Sequence, residues 1–528
     1  MAMLWMIIYQ TKLLNMLWDS WGELMDFYSI LSERNLTKIL RRVEYSPPSF
    51  KGWPKVCEFL EDIIENKRSV YLESDYDVDG LMCALVIQDA LRDLGVQRLT
   101  TYHYRKRTHN IDRVAIQECV QGHYDYFIVT DTGSNDIDLI KLLVSRGIKV
   151  IILDHHQVEF TYDDYGENVA MINTMIENRE NDVFRLSAGA LCFCVMDLLY
   201  HKLGKCTPKG LAAYATVSLF ADVMEMTNEL NRAIYYLATS LDDDEMPQPL
   251  MYYRNSYNKF NARFIGFWFS PRINACFRAE QFDCLNKLFL DDSDAVVRAS
   301  CIARINTIYE DSREMVGRAT DIIVPHEMEN FVVADLSSVN KYIDVNSNKL
   351  WNYTGLIANQ LADRYSKTAL VVCDRQTYFK GSVRDLYGRD FLTIFKQLCY
   401  AGGHNAAFGV KINTLDYDDF LCNLRYTDEN YAMQLIKNEP IIIDWKYASP
   451  DEAMLHDMAT YNEFAGLGMP IALIRRKMVG AITERKTNYN YKYDWNGVEI
   501  QSNSKIPFGR TVLMKPFFSW KLKIEVQS

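Results

Sequence analysis

Glycine and proline are scarce, 24 and 13 among 528 residues, and neither a low-complexity tract nor an internal repeat occurs. An ordinary globular chain is therefore expected, not a disordered or repetitive one. The twelve cysteines contain no Cys-x-x-Cys pair, only Cys192-Phe193-Cys194 inside an apolar helical stretch. At this length they read as buried thiols of a reducing cytoplasm, not as disulfides or a zinc site. Long apolar runs are missing as well. Met1 to Tyr9 is apolar, but Gln10, Thr11 and Lys12 interrupt it and no basic residue precedes it. It is neither a membrane span nor a signal peptide; an amphipathic docking helix and a stretch upstream of the true start Met are both open. Excess positive charge is absent too: the net charge of −11 argues against the whole surface attracting polyanions. A local groove of clustered Lys and Arg is still allowed.

What the chain does contain is carboxylates in unusual places. Asp75, Asp77 and Asp79 alternate directly after the apolar run Val70 to Leu72 and before Gly80. Three such groups repel one another unless cations hold them, and Gly80 would let the backbone crowd a ligand. A second apolar run, Tyr126 to Thr130, ends in Asp131, and a third, Lys149 to Leu153, ends in Asp154-His155-His156. Helix-period stretches lie between them, with Leu81, Leu85, Gln88 and Leu91 on one face and Ile137, Ile140, Lys141 and Val144 on another. Short buried runs alternating with helices read as βαβ units of a parallel sheet. Such sheets gather functional groups at the carboxyl ends of their strands. Asp222 closes a further apolar stretch, Val217 to Ala221. Any one of these acids could be a turn or cap residue; four coincidences point to a metal site. Oxygen ligands with one or two imidazoles suit Mn²⁺ or Mg²⁺, and this many anions suits a pair of ions.

These motifs, in this order, resemble the DHH phosphoesterases. Further segments resemble the RecJ branch: Ser187-Ala-Gly-Ala190, Pro271-Arg272-Ile-Asn-Ala275 with Arg278, Trp351-Asn-Tyr-Thr-Gly355, Gly381-Ser382-Val-Arg384, and Gly402-Gly403-His404 with Ala406 to Gly409. The resemblance covers roughly residues 50–415. It implies a metal set drawn from Asp75, Asp77, Asp79, Asp131, His155 and Asp222. Asp131 would bridge, and Asp75, Asp154 and His156 would orient the ligands. It implies that Arg107, Arg272, Arg278, Ser382, Arg384, Gly402, Gly403 and His404 hold nucleic-acid phosphates, although a turn is the bland role for His404. The chain departs from the family beside these positions, with Ser74, Phe277 and Thr108 to Ile111 where the family differs and Asn173-Thr174 in place of the family's Asn-Pro.

The expected fold is α/β: an N-terminal extension (1–50), a parallel-sheet DHH domain (51–240) and a helical connector (241–330). A smaller α/β DHH-associated domain (331–415) and a β-rich, OB-like domain (416–528) follow. From Ser293 to about Ile323 a Pro-free stretch places Val296, Ala299, Ile302, Ile305 and Ile308 at helix spacing, either as a bridge or as a core helix. Residues 471–528 carry 11 Lys and Arg against 4 Asp and Glu, net +7, interleaved with Trp495, Phe517, Phe518 and Trp520. They read either as an OB-like barrel for base stacking or as a plain sheet with core aromatics. The resemblance implies a 5′→3′ exonuclease on single-stranded DNA using two Mn²⁺ or Mg²⁺ ions in repair, recombination or replication. It would be a monomer in the cytoplasm (the host's, if the chain is viral), with a helicase or single-strand-binding protein as partner. A nanoRNase-like or cyclic-dinucleotide phosphodiesterase and a metal-dead replication scaffold are the alternatives.

Overall fold

The computed structural model describes residues 27–106, 109–177, 185–253, 259–339, 350–385, 389, 391–404, 407–429, 441–444, 452–465, 469–477, 484–486, 491–495, 498–502, 506, 511–518 and 522–527. They fall into two compact units, residues 36–307 and the remainder. No described helix is long and apolar enough to cross a membrane.

In the first unit, strands β1 (Val70–Ser74), β2 (Leu99–Thr101), β3 (Tyr126–Thr130), β4 (Lys149–Asp154) and β5 (Val169–Asn173) form a parallel sheet in the order β2-β1-β3-β4-β5. β1, β3 and β5 are buried at every position, which is why they read as continuous apolar runs. The helices Val78–Asp93, Arg113–Gln121 and Ile137–Ser145 make the crossovers. Val78–Asp93 is not the one-faced helix that the sequence spacing predicts. Met82, Val86 and Ile87 are buried along with Leu81, Leu85, Gln88 and Leu91, because helices Ala188–Lys202 and Leu211–Ala221 pack on it in addition to β1. In Ile137–Ser145 the inward residues are Ile140 and Leu143, and Lys141 goes to solvent.

The helix Ala295–Ile322 runs 28 residues, and the division between the units falls within it. Asp294 Oδ1 accepts from the amides of Val296 and Val297 at 2.8 and 2.9 Å. The buried face starts at Cys301; Val296, expected inward, is 79% exposed.

In the second unit, β6 (His326–Glu327), β7 (Phe331–Asp335), β8 (Thr368–Asp374), β9 (Tyr378–Arg384), β10 (Tyr400–His404) and β11 (Ala407–Asn413) make a sheet in the order β10-β11-β9-β8-β7-β6. Only the β7–β8 pair is parallel, and the Thr354–Tyr365 helix is its crossover. One face packs Ile357, Leu361, Val332 and Val371, the other Phe331, Phe391, Phe395 and Phe408. A third sheet holds β12 (Ile441–Asp444), β13 (Ala472–Lys477), β14 (Glu484–Lys486), β15 (Tyr491–Trp495), β16 (Val498–Ser502), β17 (Thr511–Phe518) and β18 (Leu522–Gln527), ordered β12-β13-β17-β18-β16-β15-β14. The meander β14-β15-β16 and the hairpin β17–β18 returning beside β16 give the Greek-key connectivity of an OB-like sheet. β12 and β13, parallel and joined through helix Glu452–Asn462, extend it. The buried Asn462 amide donates to the Ala472 and Pro516 carbonyls at 2.9 and 3.1 Å and accepts from Ala472 N at 2.9 Å. Part of the N-terminal extension belongs here: Phe27 meets the Tyr461 ring edge-on at 5.8 Å. The side chains of Trp495, Phe518, Trp520, Lys505, Arg510, Lys521 and Lys523 lie outside the described set.

Candidate metal centre

The chain leaves β1 into a turn whose three carboxylates have separate tasks. Asp77 caps the Val78–Asp93 helix, its Oδ1 accepting from Gly80 N at 3.0 Å. Glycine is needed at 80 for a reason other than ligand access: a Cβ there would stand 2.2 Å from the Asp75 carbonyl oxygen. Asp79 lies on the N-terminus of the Ala188–Lys202 helix. It accepts from Ala188 N at 3.0 Å, Gly189 N at 2.9 Å and Ser218 Oγ at 2.5 Å, a placement the helix dipole favours. A Cβ on Gly189 would sit 2.6 Å from Ser218 and 3.1 Å from Asp79 Oδ1. The Ser187-Ala-Gly-Ala190 segment is thus the cradle of Asp79.

Asp131, at the end of β3, has φ +60° and is buried. Its Oδ1 has no hydrogen-bond partner, and neither has Asp75 Oδ1. Asp222 is the C-cap of a helix, Leu211–Ala221, not the end of a strand, and Val223 after it has φ +54°. A left-handed β-branched residue is strained. Strain therefore flanks the carboxylates at two independent points.

His155 Nδ1 is 3.2 Å from the Leu186 carbonyl. Since a carbonyl only accepts, the proton is assigned to Nδ1 and Nε2 faces the acids. Nε2 lies 3.2 Å from Asp222 Oδ2, 3.3 Å from Asp131 Oδ1 and 3.8 Å from Asp79 Oδ2. Asp154 accepts from His155 N at 2.7 Å, His156 N at 3.1 Å and His156 Nδ1 at 2.9 Å. Three residues that sequence reasoning missed support this group. Asn173 Nδ2 donates to the His156 carbonyl at 3.1 Å and to Ser134 Oγ at 2.9 Å. His109 Nδ1 is 3.0 Å from Asp75 Oδ2. Nothing in the local sequence marks Ser134 or His109; Asn173 is the strand end after β4, where the family pattern has an Asn too.

Burial, then the neighbouring acids, pushes the Asp131 and Asp222 carboxyls well above the usual range. The same causes raise Asp77 to about 6. Asp154 goes the other way: burial opposes its charge, yet His156, His155 and Ser134 hold it well below the usual value. The raised group comprises buried acids whose mutual repulsion His156, 3.8 Å from Asp131 Oδ1, only partly offsets, which is costly unless cations enter. Ligand atoms of Asp75, Asp77 and Asp131 lie within 4.8 Å of one another, as do those of Asp79, His155 and Asp222, and of Asp131, His155 and His156. Asp131 and His155 are each shared between two groups. Oxygen donors with one or two imidazoles fit Mn²⁺ or Mg²⁺, and the orphaned Asp131 Oδ1 is where a cation would complete the bonding.

The predicted phosphate-binding residues divide. Arg107 lies outside the described residues. Arg272 is buried, donating to the Trp268 carbonyl at 2.8 Å and to Asn306 Oδ1 at 2.9 Å, with its guanidinium 3.6 Å from the Trp268 ring centre. It holds a helix turn in place. Arg278 is half-buried in the last turn of Ser270–Ala279. Ser382, Arg384, Gly402, Gly403 and His404 belong to the other unit, where register aligns them. Arg384, Ala407 and His404 form one row across β9, β11 and β10; Ser382, Gly409 and Gly402 form the next. Arg384 packs on Gly355, where a Cβ would be 2.6 Å from its Nη2, and Ser382 Oγ is 2.9 Å from Thr354 Oγ1. Burial lowers the Arg384 guanidinium below its ordinary value.

Residues 69–233 match the DHH family, N-terminal domain. The chain is 23% identical over 402 residues to the single-stranded-DNA-specific exonuclease RecJ of Bacillus subtilis (strain 168), covering 73% of this chain and 49% of that protein. It is 24% identical over 411 residues to the putative SPbeta prophage-derived single-strand DNA-specific exonuclease YorK of the same strain, covering 71% and 69%. The chain thus spans about half the length of the first of these relatives. The fold is similar to that of RecJ in complex with Mn²⁺ from Thermus thermophilus, with TM-score 0.70, 18% identity, and coverage of 94% of this chain and 74% of that one.

Proposed function

Starting from a DHH-family, RecJ-like chain, we propose that this protein is a two-metal phosphodiester hydrolase that degrades single-stranded DNA from the 5′ end and releases 5′-mononucleotides. The observation that carries the reading is Asp131: a buried, strained carboxylate with one orphaned oxygen, shared by two groups of cation-binding side chains. Asp77, Asp79, Asp131, His155 and Asp222 would hold the ions, with Asp75 beside them. When bound, a pair of such ions supplies Lewis-acid activation of water and neutralises charge on attacking and leaving oxygens.

Backbone and side-chain groups together do the positioning. Leu186 fixes the His155 tautomer so that Nε2 points at Asp131 and Asp222. The 188–189 amides and Ser218 orient Asp79. Asp154 aligns both histidines. Ser382, Arg384 and the 402–404 segment would bind substrate phosphates, Arg384 with the geometric advantage of a planar fork. Gly402 and Gly409 leave the Ser382 row uncovered.

The test is the full chain with Mn²⁺ and single strands labelled at the 5′ or 3′ end. Release of labelled mononucleotide from the 5′ end first is expected. Intact strands together with cleavage of short oligonucleotides or cyclic dinucleotides would overturn the substrate reading. Asp131→Ala should abolish hydrolysis and Mn²⁺ binding by calorimetry while the protein stays folded; an unchanged rate would overturn the metal centre.

A further inference from the structure

We propose that the open face of β9-β11-β10 continues past the phosphate row as a second nucleotide subsite, in which Tyr400 stacks a base of single-stranded DNA while Lys411 holds its phosphate. The proposal rests on the single-strand reading above and extends it to residues outside every motif that the sequence singled out.

The strands alternate strictly. In β9 the buried positions are Phe379, Gly381 and Val383; in β11 they are Phe408, Val410 and Ile412. The residues between them turn to the other face: Lys380, Gly409, Lys411 and Asn413 are exposed there, while Ser382 and Arg384 are half-buried beside Thr354 and Gly355. Opposed residues of antiparallel strands project to one side. The register therefore adds a third row, Lys380–Lys411–Tyr400, to the rows Arg384–Ala407–His404 and Ser382–Gly409–Gly402. One row follows the next by two residues, roughly 6.8 Å, a step that suits successive nucleotides of an extended strand. The middle row has Gly409 and Gly402 as two of its members, so nothing tall separates the third row from the first.

The third row has the chemistry for a nucleotide. Tyr400 is 77% exposed, unusual for a large ring with no core to serve. Lys411 Nζ lies 4.5 Å from the Tyr378 ring centre. Beside these side chains is a groove of about 600 Å³ that Leu398, Asn413 and Asp416 also line. An aromatic platform beside an ammonium group binds a base and its phosphate without reading sequence. Asp416 is an acidic neighbour on the groove wall.

The experiment is fluorescence anisotropy of the full chain with a labelled single-stranded oligodeoxynucleotide in chelator, beside steady-state hydrolysis with Mn²⁺. Tyr400→Ala should weaken binding about tenfold, the effect of losing one stacked base, and raise KM with kcat unchanged. Tyr400→Phe should bind as wild type. Lys411→Ala should lower the salt slope of binding by about one. Both positions are exposed, so folding is not at issue. Binding by Tyr400→Ala and Lys411→Ala equal to wild type would overturn the subsite, even in an active nuclease. Conversely, tight Tyr400-dependent binding without any hydrolysis would keep the subsite and discard the nuclease reading.

Discussion

At the scale of residues, the metal centre is a set of charges that the fold assembles against their own repulsion. Asp77 is raised to about 6 by burial and by Asp75 and Asp79, against about 3.9 in an unfolded chain. The native state therefore binds more protons than the unfolded state between those values, and stability falls as pH rises through that window. The depressed Asp154 contributes fully above the unfolded value, so it does not bend the curve there. Burial would lower His156, but the Asp154 hydrogen bond and charge keep it at about 9; its contribution is present below about 6.5 and is lost as pH rises through 9. In chelator, thermal melts of the wild type should decline from pH ~4 to ~6 and again towards 9. Asp77→Asn should lessen the first decline without removing it, because Asp131 and Asp222 are raised as well, and a wild-type melt that rises across it would refute the charge assignment. Asp154→Asn removes the acceptor that aligns both histidines and should cut Mn²⁺ affinity about 10–100-fold in calorimetry. An unaltered affinity would leave Asp154 a purely structural acid.

At the scale of elements, two glycines let helices close on the carboxylates. Gly80→Ala drives a Cβ into the Asp75 carbonyl, where only backbone can yield. Gly189→Ala meets the Ser218 side chain and Asp79. Each should cost about 1–3 kcal/mol in denaturant melts, with Gly80→Ala the more severe. Gly189→Ala should also weaken Mn²⁺ binding, because the displaced group is Asp79. Ala at 189 with full stability and full affinity would show that the cradle is not tight. A residue such as Asn462 works by the same logic far from the centre. Its three backbone hydrogen bonds tie helix Glu452–Asn462 to the third sheet, so Asn462→Ala should destabilise by about 1–3 kcal/mol.

For the whole molecule, cations and folding are linked. Relieving repulsion among buried acids stabilises the native state only when ions bind. Mn²⁺ at 100 times its Kd should add about 2.7 kcal/mol per site and raise Tm accordingly. Asp131→Ala should melt higher than wild type in chelator, having one buried anion fewer, and lose the Mn²⁺-dependent rise. Equal Mn²⁺ shifts in both proteins would place the ions elsewhere.

Much of this was legible along the chain. The runs ending in Asp75, Asp131 and Asp154 are strands because continuous apolar segments between helices have little alternative, and parallel strands bring their ends together. The Greek-key connectivity of the last sheet followed only loosely from alternating residues. Other features have no local signal. Which face of Val78–Asp93 is inward could not be read, because the helix is covered on several sides. Asp222 closes an apolar stretch whose secondary structure the sequence left open, and it is a helix cap. Arg272 resembled a phosphate ligand, but its guanidinium is engaged by Trp268 and Asn306. The partners His109, Ser134 and Ser218, and the row Lys380–Lys411–Tyr400, depend on segments distant in sequence meeting in space. Residue identity and order settle which groups are chemically able to hold a cation or a phosphate. Burial, register and crossing backbones settle which of them meet, since a carboxylate acquires its pKa and its partners only from what surrounds it.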